Sequence, residues 1–120
     1  MGIEKPDTAI LEPDWDTYAH WLYLSDFLRA PVMRSAIRAL QLPSGSRGLD
    51  VGCGIGGPAL LLAEAVAPEG QVTGLDLSPE LLDHAKRAAE ESGLSAQVSF
   101  REGDMNQIPF DDDTFDWAWS

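Results

Sequence analysis

Cysteine is nearly missing from this chain: of 120 residues, Cys53 is the only one. A single thiol excludes an internal disulfide and any zinc site built on cysteines, and Cys53 reads as a small reduced residue in a loop. Basic residues are scarce as well, 8 Lys and Arg against 20 Asp and Glu, for a net charge of −12. The shortage is lopsided, since residues 1–48 carry 6 acids and 5 bases while residues 49–120 carry 14 acids and 3 bases. So acidic a field serves solubility, disfavours nucleic acid or an anionic membrane as partner, and welcomes a cation. No apolar run approaches the roughly 20 residues of a membrane span. The N-terminus, Met-Gly-Ile-Glu-Lys-Pro, has no apolar core of a secretion signal, so a cytoplasmic location is expected.

What the chain does have is glycine in one place. Leu49–Gly57 reads Leu-Asp-Val-Gly-Cys-Gly-Ile-Gly-Gly, followed by Pro58 and the apolar run Ala59–Ala63. An apolar start, an acid and then spaced glycines predict a strand that ends in a tight turn and feeds a helix. Helix N-termini carry unpaired N–H groups and the positive end of the dipole, so the turn reads as a nucleotide cradle. Gly52, Gly54 and Gly57 satisfy a G-x-G-x-x-G dinucleotide pattern, and Gly52, Gly54 and Gly56 satisfy G-x-G-x-G equally well. Asp50 tips the balance, because an anion at the mouth of the turn repels a pyrophosphate and attracts an ammonium.

Around this turn the chain divides into an arm and helical segment, residues 1–46, and an α/β core, residues 47–120. Residues 1–13, with Pro6 and Pro13, read as a loose arm. Asp14 is placed to cap a helix through about Arg29 that carries Trp15, Tyr18 and Trp21. Pro31 fits the first position of a second helix, with Met33, Ala36, Ile37 and Leu40 at helical spacing. Strands are expected at Arg47–Val51, Gln71–Leu77, about Gln97–Arg101 and Phe115–Ser120, with helices at Pro58–Val66 and from Ser78 to Gly93.

Asp76 falls at the end of the second strand, 20 residues after Gly56, where a strand–helix–strand unit delivers a carboxylate to ribose hydroxyls. At the end of the third strand Asp104 can accept from an adenine amino group, with Met105 against the ring. Asp50, Asp76 and Asp104 thus stand at the tips of consecutive strands, which is the main argument for one nucleoside site. Asp111-Asp112-Asp113 reads as a solvated turn, since consecutive carboxylates do not converge on one ion, and no metal is expected. His20 is a weak candidate base, and His84 is assigned no chemistry.

Four stretches together resemble the class I S-adenosylmethionine-dependent methyltransferases, in particular the small-molecule group that includes ubiquinone and menaquinone biosynthesis enzymes. Gly48–Gly57 resembles motif I, Gly74–Pro79 the acidic turn after it, Gly103-Asp104-Met105 the adenine-side motif, and Pro109–Ser120 the Pro-Phe-x-x-x-x-Phe-Asp stretch. The resemblance implies a Rossmann-like three-layer α/β fold with parallel strand order 3-2-1-4, preceded here by two helices and lacking the family's C-terminal strands. It implies S-adenosylmethionine as cofactor and a small-molecule methyl acceptor. Asp50, Gly52, Cys53, Gly54 and Gly56 would hold the methionine moiety, Asp76 the ribose, Leu77 and Met105 the adenine faces, Asp104 the adenine amino group, and Ser120 would approach the methionyl part. The N-terminal helical segment would be a lid, with Tyr18 facing the sulfonium.

Because the family continues past the fourth strand, the chain is expected to be the cofactor-binding front half of an enzyme. Its fourth-strand edge would then be open to a complementing chain or a second copy. The sequence names no catalytic residue. Two rival readings stand beside methyl transfer: a non-catalytic nucleoside-binding or interaction module, and a nicotinamide-dependent oxidoreductase domain that shares the glycine pattern.

Overall fold

The computed structural model describes residues 14–120, so the arm expected at residues 1–13 lies outside the described residues. The first element, α1 (Trp15–Leu40), starts where Asp14 accepts a hydrogen bond from the Thr17 N–H. The two helices expected here are one, with Pro31 inside it. Proline removes the N–H that would bond to the carbonyl of Phe27. Phe27 and Pro31 both lie on the exposed side, where water can meet that carbonyl. The helix is held across the proline because residues on both sides of it, Asp26 and Ile37, pack inward.

The remaining elements alternate: β1 (Arg47–Val51), α2 (Gly57–Val66), β2 (Gln71–Asp76), α3 (Pro79–Glu91), β3 (Val98–Glu102) and β4 (Trp117–Trp119). The four strands form a parallel sheet in the order β3-β2-β1-β4, as expected. Both outward crossovers step the same way, and right-handed connections put α2 and α3 on the same face. At α3, Ser78 accepts from the Leu81 N–H and Pro79 takes the first turn. The helix closes with Gly93 N–H on the Glu90 carbonyl and Leu94 N–H on the Ala89 carbonyl, the paired bonds of a left-handed glycine cap.

The core lies between these helices and the sheet. Leu62, Ala63 and Val66 of α2 meet Ile37, Val72, Ala89 and Val98 there. Register puts Gly48, Val72, Val98 and Trp117 on this face. Trp117 lies so close over Gly48 that a Cβ there would stand 2.0 Å from the ring, and its indole N–H donates to Ser46 Oγ at 2.9 Å. Of the three layers expected, the described residues supply the sheet and one helical layer. Part of the opposite face is covered by the loop after β3, where Gly103 and Pro109 close over Leu75 and Phe110 stacks edge-on to Phe115. In that loop Asp113 has a φ of 62° and Thr114 bonds back to the Asp111 carbonyl, so the three aspartates ride on a turn. No helix among the described residues is long and apolar enough to cross a membrane.

Candidate functional site

All the strands point their carboxyl ends the same way, and the β1–α2 turn lies at that end of the sheet's centre. Gly52, Gly54 and Gly56 have φ of 73°, 56° and 89°. At Gly56 this is compulsory, since a side chain would be strained by the backbone and would also meet Ala85 Cβ at 3.1 Å.

The turn's amides are not free. Gly52 and Cys53 N–H both donate to the Leu75 carbonyl, Gly54 N–H to Asp76 Oδ2 at 2.9 Å, and Gly56 N–H to the Cys53 carbonyl. A cradle for phosphate depends on such donors being available. Here they are spent inside the protein, which removes the expected anion-binding character at these four positions.

Asp50 is the opposite case. It sits on the helix side of β1, 2% exposed, and its Oδ2 has no hydrogen-bond partner among the described residues. Burial, reinforced by the charges of Asp26 and Asp76, raises its pKa to about 7. Asp26 comes from α1, where its carboxyl lies against Gly57, so closely that a Cβ on Gly57 would stand 2.3 Å from Asp26 Oδ2. Burial raises the Asp26 pKa too, with Arg29 opposing the shift. Three carboxylates thus surround the glycine turn.

Two hollows meet at Gly52. The smaller, about 120 Å³, is lined by Gly52, Asp76, Leu77, Gly103 and Met105. Leu77 and Met105, 65% and 56% exposed, present apolar surface at this hollow. The larger, about 420 Å³, brings Asp50, Gly52, Trp119 and Ser120 together with Leu28, Arg29 and Val32 of α1. Of the expected residues, Asp76, Leu77 and Met105 line the smaller hollow, Asp50 and Ser120 line the larger, and Gly52 lines both. Asp76 spends Oδ1 on the Ser78 N–H and Oδ2 on Gly54, and each oxygen keeps a second lone pair. Asp104 lies between two lining residues but does not line the hollow itself, and its Oδ1 accepts from Asn106 N–H at 2.8 Å.

The Cys53 thiol turns away from the crevice into the core, beside Gly74 and Phe100, and burial pushes its pKa far up. Tyr18 packs edge-on to Trp15 and lines neither hollow; the α1 residues that face the turn are Leu22, against Gly54, and Asp26, against Gly57. His20 is exposed and borders a separate hollow between α1 and α3, beside His84 and Arg87. There His84 Nε2 lies 3.4 Å from Asp16 and ties the start of α1 to α3. Sequence reasoning missed Asp26 and Arg29 because nothing in an aromatic-rich helix says which side meets the turn. The one available signal was Gly57 itself, a second adjacent glycine whose backbone takes no positive φ.

A family model described as a methyltransferase domain matches residues 49–120. The demethylmenaquinone methyltransferase of Geobacillus kaustophilus is 41% identical over 82 residues, which is 68% of this chain and 35% of that protein. Among solved structures, a SAM-dependent methyltransferase from Aquifex aeolicus superposes with a TM-score of 0.66 at 28% identity, covering 72% of this chain and 45% of that one. The [4+2]-cyclase SpnF superposes with a TM-score of 0.64 at 38% identity, covering 72% of this chain and 32% of that one. The chain spans about a quarter to a third of the length of the curated relatives it matches.

Proposed function

The chain belongs to the methyltransferase-domain family, whose model spans residues 49–120, and on that premise we propose that it binds S-adenosylmethionine across the two hollows that meet at Gly52 and serves methyl transfer to a small-molecule acceptor. Asp50 carries the reading: a carboxylate oxygen buried without a partner at the tip of β1 fits a cationic ligand and no anionic one. A pyrophosphate would meet three carboxylates and a turn in which the amides of Gly52, Cys53, Gly54 and Gly56 are already bonded, which disfavours a nicotinamide dinucleotide.

The residues present fit the cofactor. Asp50 takes the ammonium of the methionine moiety, with the glycine turn as a bare wall and Ser120 beside it. Asp76 offers its free lone pairs to the ribose hydroxyls, Leu77 and Met105 flank the adenine, and Asp104 serves at its rim. When bound, S-adenosylmethionine supplies an activated methyl on a sulfonium that is its own leaving group. The chain's contribution is alignment and exclusion of water. Residues 15–40 act as the lid and residues 47–120 as the cofactor core. A cytoplasmic location suits the single reduced cysteine. The free edge of β4 is where a further strand, from this protein or a second copy, would pair.

Calorimetric titration of the protein with S-adenosylmethionine and with NAD tests this. Binding of the first and not the second is expected, followed by transfer of label from methyl-labelled cofactor to a member of an acceptor panel. Preference for NAD would overturn the assignment. Binding without transfer to any acceptor would favour a nucleoside-binding module, and the likeness to a cyclase shows that this fold hosts other chemistry.

A further inference from the structure

The larger hollow holds two opposite charges, and only one of them is used by the reading above. Asp50 lines it from β1 and Arg29 lines it from α1, and among the described residues Arg29 is the only basic one in its lining. The Arg29 guanidinium is loosely engaged: its ion-pair partner among the described residues is Asp26 at 3.9 Å, and its side chain remains 62% exposed. At that distance the pair is an ion pair without a hydrogen bond, so among the described residues nothing takes up the five N–H donors. Asp26, seated against Gly57 at the start of α2, fixes the side of the turn on which Arg29 stands.

A buried carboxylate lacking a partner and a free guanidinium on one hollow are the complement of an α-amino acid, which carries an ammonium and a carboxylate on one carbon. Resting on the cofactor reading, we infer that Arg29 binds the carboxylate of the methionine moiety while Asp50 binds its ammonium. Arginine suits the task because its planar fork meets a carboxylate with two parallel hydrogen bonds, which lysine does not. The helix α1 then acts as more than a hydrophobic cover, contributing one of the two charges that recognise the amino-acid end.

Two probes isolate this contact. S-adenosylmethionine has both charges of the amino-acid end, and its decarboxylated form keeps the sulfonium and the amine but lacks the carboxylate. Titrated calorimetrically against the protein, Arg29→Met should weaken S-adenosylmethionine about tenfold, the scale of one charge-assisted pair, and leave decarboxylated S-adenosylmethionine unchanged. Arg29→Lys should recover part of the loss, and Asp50→Asn should weaken both ligands. Equal weakening of both by Arg29→Met would make Arg29 merely structural and overturn the inference, as would no weakening of either. A wild-type protein that binds neither ligand would instead remove the cofactor reading beneath it.

Discussion

Asp50→Asn should make the ligand-free protein more stable and the cofactor complex weaker, with a pH dependence that identifies the cause. In the folded chain the carboxyl is 2% exposed and its pKa lies at about 7, against 3.8 for an ordinary aspartate. Between those values the folded state holds a proton that the unfolded state has released, so Asp50 makes stability fall as pH rises from about 4 to about 7. Above that range the loss is complete, and at 1.36 kcal/mol per unit it amounts to about 4 kcal/mol. Asparagine keeps the shape and carries no charge. Urea unfolding at pH 8 should therefore find the variant more stable by about 4 kcal/mol, and at pH 5 by about 1–2 kcal/mol. Saturating S-adenosylmethionine should narrow the gap at pH 8, because a ligand that binds the wild type better adds more to its stability. A variant less stable than wild type at pH 8, or a gap that does not change between pH 5 and pH 8, would refute the reasoning.

Gly57→Ala sets a Cβ within 2.3 Å of Asp26 Oδ2 and 2.9 Å of Asp26 Cβ, so it should cost about 1–3 kcal/mol by forcing α1 off the turn. Asp26→Ala in the same chain should relieve part of that cost, and strict additivity of the two in denaturant unfolding would show that they do not touch. The Cys53 thiol, 3% exposed and with its pKa pushed far up, should resist iodoacetamide at pH 8 in the folded protein and react in denaturant. Comparable rates in the two states, followed by mass spectrometry, would contradict its placement in the core.

The local features were legible because their causes are local. Asp14 and Ser78 were recognisable as caps, and the Gly93–Leu94 ending follows from one glycine after an amphipathic run. The strand β1 matches its expected bounds, and β2, β3 and β4 fall within a residue or two of theirs. The glycine turn and the acids at the ends of β1 and β2 were likewise visible, since strand–helix–strand spacing sets where a carboxylate emerges. Pro31 misled because proline's cost depends on whether the orphaned carbonyl faces water, which a sequence does not state. Cys53 and Asp104 stand in motifs read from spacing alone, and spacing does not reveal which way a side chain turns.

By itself, then, the sequence determined the alternating strands and helices from β1 onward, the turn and its acidic surroundings, which follow from propensities and periodicities within a few residues, while the parallel strand order rested on the family resemblance. Tertiary structure decided that the amides of Gly52, Cys53, Gly54 and Gly56 are spent, that Asp50 Oδ2 is buried without a partner among the described residues, and that α1 brings Asp26 and Arg29 to the site. Those properties depend on solvent exclusion and on contacts between residues far apart in the chain, such as Asp26 with Gly57. Charge and hydrogen-bond supply at the site are set by what is packed around each group, and packing is fixed only when the whole chain has folded.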